Sequence, residues 1–399
     1  MLRVCILLGS GFPVPAIKGG AIETLIEMII KEYAKSKNTI RISIIVKRDK
    51  SIDYGQFKKV NFIFVPSLYV RLEKTYWKIY GFCKKIFGLE LIAPLPRLFE
   101  KKFIKKHEND YDFFIEETSL NIYEKLDLPP NKLIYHLHYG GDKEFTRDHY
   151  FGNLIAISDY IKTYWNKHTG RCDENAYVLK NCIDTDKFDK ALLVSTTEKK
   201  KLKKKLGISL YNKVILYVGR FVPEKGVLEL IKAFNNISST RITLLLIGSA
   251  NFSQKTRTEY ENQVYEEINK SKKQIVMTGF IQNNDIYKYH AISDLAIIPS
   301  IWQEPAGLVE LEYQAACVPI IATNVGGIPE FVSSGCKLVE VENLVENLSL
   351  AIDEVINNEK ELVTMKEKGL EFVKEYNQSS YYKNFVRILK DIEAKNGCE

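Results

Sequence analysis

Residues 300–330 read SIWQEPAGLVELEYQAACVPIIATNVGGIPE, and the apolar run LAIIP at 295–299 leads into them. That run is short, partly β-branched and closed by Pro and Ser, which predicts a buried strand. The chain after it predicts a helix. Glu304 and Pro305 stand before that helix, and Ala306, Gly307 and Leu308 fall at its expected first turn. Backbone N–H groups in a first turn lack partners within the helix and suit an anion or a sugar hydroxyl. Glu312 follows Glu304 by eight positions, so one carboxylate precedes the helix and the other lies about a turn inside it. Both are expected to face a ligand over the helix start. Two acids would repel a phosphate there, so they are assigned to hydroxyls of a sugar or ribose, which carboxylates accept well.

The pair Glu304 and Glu312 with seven residues between, followed by Pro319, Ile320, Ile321, Ala322, Thr323 and then Gly326, Gly327, Ile328, Pro329, Glu330, resembles the retaining glycosyltransferases of family 4, also described as glycosyl transferases group 1. The resemblance runs through most of the chain and is strongest in its second half. It implies an α/β fold of the GT-B type, with two Rossmann-like domains facing each other across a cleft. It implies an enzyme that moves a sugar from a nucleotide-sugar to an acceptor hydroxyl with retention at the anomeric carbon. Two positions depart from the family pattern: an aromatic residue commonly stands where Ala306 does, and a glycine where Cys317 does. Those departures bear on which sugar is bound more than on the class.

At 399 residues the chain is long enough for two domains with full cores, and its 45% hydrophobic content is that of a globular protein. No apolar run approaches the roughly 18 residues of a membrane span. The start MLRVCILLGSGFPVP enters a strand without a signal-peptide pattern, so the expectation is a cytoplasmic protein, working at the inner face of the cell membrane if its acceptor is lipid-linked. Seven cysteines, without CxxC or CxxxC spacing, predict reduced thiols and neither a disulfide frame nor a zinc site. The formal charge of +7 permits acidic substrates or an anionic membrane.

In the first half, Arg3 to Leu8 predicts a strand, and a glycine-rich loop leads to an amphipathic helix from about Gly20. Gly9 and Gly11 begin a dinucleotide fingerprint, but Val14 stands where the third glycine belongs and no acid closes a second strand, which argues against a nicotinamide oxidoreductase. The resemblance instead places Gly19 and Gly20 under the donor diphosphate, where a Cβ would block close approach; the plainer reading is a loop glycine pair at a helix start. The segment Tyr69 to His107 mixes Tyr76, Trp77, Tyr80, Phe82 and Phe87 with Lys78, Lys84, Lys85, Arg97, Lys101, Lys102, Lys105 and Lys106. At helical spacing such a mixture suits the headgroup layer of an anionic membrane, each basic residue contributing about 1 kcal/mol, against the alternative of a packed helix pair with solvated charges. Asp110-Tyr111-Asp112 and Asp184-Thr185-Asp186 spell DxD, a metal motif in a different glycosyltransferase fold, and are read as decoys. His136 and His138 flank Leu137 at a strand end and are expected on opposite faces. His138, before Tyr139-Gly140-Gly141, matches the family histidine that reaches the donor sugar. A structural role is the plainer reading for His136. Ser158 or Asp159 is the expected cap of the helix that follows.

Asn181 to Phe188 and the run EKKKLKKKLG at 198–207 mark the linker. The run has no aromatic residue for base stacking and has leucines at Leu202 and Leu206, which predicts a solvated surface helix and no nucleic-acid binding. Strand Val214 to Val218 then leads into GRFVPEKGVLELIKAF. Gly219 and Gly226 keep that loop tight, and Arg220 and Lys225 can converge on a diphosphate, Arg as a planar fork and Lys as a point charge. The resemblance uses both residues that way. It places the main chain near Phe280 and Ile281 at the nucleotide base, Glu312 on the ribose, Glu304 on the transferred sugar and His138 against that sugar from the other domain. Expected domains are 1–187 for the acceptor, 188–377 for the nucleotide-sugar, and a final helix, 378–399, packing back on the first. No metal or other cofactor is expected, because fixed donors meet the departing diphosphate. UDP-sugars are favoured as donor, GDP-mannose next, with a glycan or lipid-linked acceptor. The alternatives are a non-catalytic GT-B scaffold, motivated by Ala306 and Cys317, and a glucan phosphorylase, which lacks any match to a pyridoxal lysine.

Overall fold

The computed structural model describes residues 1–397 apart from 10, 18–19, 38, 74, 77–78, 80–94, 124–125, 140–141, 250–256 and 283. Gly19, Gly140, Gly141 and most of the aromatic and basic residues expected at a membrane, Trp77, Lys78, Tyr80, Phe82, Lys84, Lys85 and Phe87, therefore lie outside the described residues. The chain forms two units, Met1–Asn181 with Gln378–Glu399, and Cys182–Asn377.

The first unit is built on a seven-stranded parallel sheet. Its strands are β1 (Leu2–Leu8), β2 (Ile40–Val46), β3 (Asn61–Phe64), β4 (Phe113–Glu116), β5 (Leu133–Leu137), β6 (Asn153–Ala156) and β7 (Ala176–Val178), in the order β3-β2-β1-β4-β5-β6-β7. Val4 to Leu8 on β1 and Ile42 to Val46 on β2 are almost entirely buried on both faces, as a sheet covered by helices on both sides demands. The order reverses at β1/β4, where a doubly wound sheet opens a crevice at its carboxyl end. Helix Leu95–His107 is anchored under β1 by buried charge: the Arg97 guanidinium donates to Glu100 (2.6 Å) and Glu116 (2.8 Å), and the Gly9 N–H donates to Glu100 (2.6 Å). Helix Asp159–Thr169 is capped by Ser158, whose Oγ accepts from the Ile161 N–H. The final helix, Gln378–Asn396, belongs to this unit. It buries Tyr381, Tyr382, Phe385, Ile388, Leu389 and Ile392, and the Tyr382 hydroxyl meets Ser36 Oγ (3.1 Å) at the end of helix Ala21–Lys35.

The second unit carries a six-stranded parallel sheet: β8 (Lys213–Val218), β9 (Ile242–Ile247), β10 (Gln274–Gly279), β11 (Leu295–Ile298), β12 (Ile320–Thr323) and β13 (Lys337–Val339), ordered β10-β9-β8-β11-β12-β13. It has the same switch in strand order, here between β8 and β11, where Ile215 pairs with Leu295. The units divide after Asn181 and not after 187. Helix Thr185–Leu193 buries Phe188 and Ala191 in the second core, and the Ile183 N–H donates to the Tyr376 carbonyl (3.0 Å), so both enter this unit together. The lysine run forms helix Thr196–Lys205, capped by a reciprocal Ser195/Glu198 box, with Leu202 and Leu206 against the core and the lysines turned out.

Candidate active site

In the second unit the residues at the carboxyl ends of β8 and β11 come together. Gly226 has φ +63°, and a Cβ there would collide with the Pro299 carbonyl, so only glycine lets the loop after β8 press against the end of β11. That contact brings Lys225 onto the carboxylate of Glu304, which also accepts from Ser300 Oγ (2.8 Å). Gly326 and Gly327 close over the same place: the Gly327 N–H donates to the Glu304 carbonyl (2.7 Å), and a Cβ on either glycine would strike the backbone of Glu304 or Pro305. Arg220 is exposed, and no carboxylate pairs with it among the described residues. The buried Tyr217 hydroxyl donates to the Arg220 carbonyl (2.8 Å) and feels both the Arg220 and Glu304 charges, which places the two within one neighbourhood.

One expectation is corrected here. The helix begins at Val309 and has seven residues, so Ala306, Gly307 and Leu308 form the loop before it and not its first turn. Glu304 and Glu312 have different charged neighbours. The acid next to Glu304 is Glu310, buried to 3% exposure and set so tightly over Gly307 that a Cβ there would overlap its carboxyl. Burial and the Glu304 charge push Glu310 up to about 7, and its Oε2 has no partner. Glu312 is also pushed to about 7 by burial, but the cation in its field is Lys187 on helix Thr185–Leu193. Lys225 is held by Glu304, which leaves part of its three-donor ammonium for a further oxygen. Phe280, half exposed, and the partly buried Ile281 follow β10 directly.

In the first unit, the space beside Gly20 (φ +107°) is filled by the Glu23 carboxylate, which accepts from the Phe12 N–H (2.8 Å). The glycine is required, but the group pressed on it is an acid. His136 and His138 are not on opposite faces. They are two residues apart, and alternation along a strand returns every second side chain to the same face, so the two rings lie 4.2 Å apart between centroids. Both meet Glu117: His138 Nε2 at 2.7 Å and His136 Nδ1 at 3.0 Å from the same Oε2. Burial alone would raise the Glu117 carboxyl, but the two rings bring it down to about 2; burial and His136 lower the His138 imidazole against the pull of Glu117. The DxD acids are spent locally, Asp112 on Arg3 (2.8 Å) and Asp110 on His107 (2.7 Å), while Asp184 stands at the start of helix Thr185–Leu193.

Residues 198–372, most of the second unit, match the family model described as Glycosyl transferases group 1. The second unit is a group 1 glycosyltransferase domain. The chain as a whole is similar to the lipopolysaccharide 1,2-N-acetylglucosaminetransferase of Salmonella typhimurium, 24% identical over 95% of this chain and 96% of that protein. An uncharacterized glycosyltransferase of Methanocaldococcus jannaschii is 32% identical over 55% of this chain and 66% of its own length. Among solved structures, Anabaena HepE in complex with UDP and glucose superposes with a TM-score of 0.71 at 19% identity, covering 98% of this chain and all of that one. A glycosyltransferase from Rickettsia africae gives 0.74 at 18%, with 98% of each chain covered. These likenesses are of fold, and the fold is GT-B. Within the glycosyltransferase domain, sequence reading missed Glu310, because spacing from Glu304 singled out Glu312 and no local signal ranks one helix acid above another. In the first unit it missed Glu23 and Glu117. Glu117 stands across from His136 through the parallel register of Glu116 with Tyr135, which is a property of the sheet.

Proposed function

We propose that this glycosyltransferase is a retaining enzyme of family 4 type that moves a sugar from a nucleoside diphosphate donor to an acceptor hydroxyl. One observation carries the reading. Arg220, without a carboxylate partner among the described residues, stands at the same strand end as the Lys225–Glu304 pair. A fork cation and an ammonium with donors to spare are suited to a departing diphosphate, and they stabilise its developing charge without a metal at the phosphates. Loop N–H groups of Ala306, Gly307 and Leu308 assist; Glu304 faces the transferred sugar, Glu312 the ribose, and Gly219, Phe280 and Ile281 border the nucleotide. Gly19 and Gly20 are assigned to the donor diphosphate, and His138, whose Nε2 is committed to Glu117 and whose Nδ1 remains for a hydroxyl, to the transferred sugar. The reaction proceeds by departure and attack on one face of the sugar, since no carboxylate is assigned as a nucleophile.

UDP is the favoured nucleotide, in keeping with the UDP and glucose of the HepE complex; a GDP-mannose-dependent relative from Corynebacterium glutamicum, 28% identical over half of this chain, keeps GDP-mannose second. The Salmonella relative, named for its action on lipopolysaccharide, supports a cell-surface polysaccharide or glycolipid as product; synthesis on the cytoplasmic side of the membrane is part of the proposal. Among the described residues no helix is long and apolar enough to cross a membrane. Peripheral contact through Tyr69–His107 is supported by exposed Leu68, Leu72 and Ile79 beside exposed Lys102, Lys105 and Lys106. Sedimentation with anionic liposomes at low salt tests it, and a protein left in the supernatant removes that contact.

The deciding experiment is a thermal-shift and calorimetric screen of the full chain with UDP, GDP, dTDP and NADH, with and without EDTA. Stabilisation by one nucleoside diphosphate, with an EDTA-independent increment, is expected. Silence toward all three diphosphates would leave a scaffold, and a response to NADH alone would overturn the reading.

A further inference from the structure

Glu117, His136 and His138 form a cluster that departure of a diphosphate does not need. Glu117 and His136 are each 2% exposed, and the His138 side chain keeps 12% of its surface. One ligating atom from each lies within 4.8 Å of the others. The arrangement is lopsided. His136 Nδ1 and His138 Nε2 both converge on Oε2 of Glu117, while Oε1, equally buried, has no partner, and neither does His136 Nε2. Two N–H donors serving a carboxylate have two oxygens to divide between. Here they point at one place. No lysine or arginine pairs with Glu117 among the described residues, so the buried negative charge has only imidazoles beside it. A buried carboxylate is strongly unfavourable without a compensating cation.

We propose that Glu117, His136 and His138 bind a divalent transition-metal ion of the zinc class. Two imidazoles and a carboxylate are a ligand set that Zn²⁺ and Co²⁺ accept, whereas Mg²⁺ and Ca²⁺ favour all-oxygen shells. Three protein ligands leave a fourth tetrahedral position, and the partly exposed edge of His138 gives it access. The ligands ride on rigid supports: His136 lies in β5, His138 one residue past it, and Glu117 one residue past the adjacent β4. Binding also changes what His138 presents. With Nε2 on a metal, Nδ1 carries the proton and donates; with Nε2–H bonded to Glu117, Nδ1 is an acceptor. This site stands or falls independently of the donor nucleotide.

The test uses the full chain, stripped with a chelator and dialysed, then titrated with Co²⁺ while its visible d–d absorption is followed, and with Zn²⁺ by calorimetry and by displacement of the cobalt spectrum. One ion per chain is expected, with the intense bands of four- or five-coordinate cobalt, bleached by equimolar Zn²⁺ and not by millimolar Mg²⁺. Glu117→Gln, near-isosteric, and His138→Ala, at the partly exposed ligand, should each weaken binding at least 100-fold while circular dichroism stays unchanged. Absence of d–d bands in the wild type, or equal titrations in wild type and both variants, overturns the proposal and leaves a hydrogen-bonded triad.

Discussion

Cys317 sits at φ +59°, in the left-handed region that penalises any residue with a Cβ by about 1–2 kcal/mol. Its N–H donates to the Gln314 carbonyl (3.0 Å) just past helix Val309–Ala315, which is the place where a helix commonly ends on glycine. Cys317→Gly should therefore raise stability by about 0.5–1 kcal/mol despite the lost side chain, seen as a higher urea midpoint at unchanged slope. Arg220→Ala and Glu312→Ala should each raise the barrier by about 2 kcal/mol or more, roughly a thirtyfold loss in kcat/KM, as removal of a charge-assisted bond does. Near-normal turnover in both would remove the clamp. His290 makes a pH prediction. It is fully buried between Phe188 and Tyr313, both ring nitrogens lack partners, and burial with Lys187 pulls its pKa down to about 3. The unfolded chain protonates this ring near 6.5, so between about 6.5 and 3 the unfolded state binds the extra proton. Stability from this group is complete above 6.5 and is lost as pH falls toward 3. Glu310 and Glu312, raised to about 7, act with the opposite sign between roughly 4.5 and 7, so only the difference between variants isolates the ring. The stability of His290→Phe relative to the wild type should rise steadily as pH falls from 6.5 to 4, and a difference that does not change with pH would refute the assignment.

The loop between β8 and helix Val227–Asn236 is the element on which the donor site depends. Its geometry rests on Gly226, which has both a positive φ and a backbone carbonyl where a Cβ would go. Gly226→Ala should cost at least about 2 kcal/mol in unfolding and weaken UDP binding as well, because Lys225 can no longer reach Glu304. Ordinary stability with intact calorimetric binding would show that the loop tolerates another path. The glycine pair and the strand ends around it were legible in the sequence because turn chemistry is local. Where the following helix starts was not: the Ala306–Leu308 loop is held out of the helix by the Gly326–Gly327 turn lying across Glu304 and Pro305, more than twenty residues away in sequence.

The chain as a whole leaves the first unit at Asn181 and returns to it at Gln378. Removing 378–399 would strip six buried apolar side chains from the first unit, at about 1.5–3 kcal/mol each as an upper bound. That approaches or exceeds the stability of an ordinary domain, so the truncated chain should bind a hydrophobic dye and lose protection in β1 and helix Ala21–Lys35 by hydrogen exchange, while the glycosyltransferase domain keeps its own. Equal protection in the full and the truncated chain would show the helix to be dispensable. The sequence by itself determined the fold class and the second-unit motifs. Alternating apolar runs and glycine turns such as Leu295–Ile298 with Gly326 and Gly327 are short-range patterns, and short-range sterics and burial suffice to read them. Only the tertiary structure decided which acids and histidines meet. Glu117 finds His138 across 21 residues, and Glu310 packs next to Glu304, because side-chain direction at a strand end or a helix start is set by the neighbouring strands and loops that pack against it.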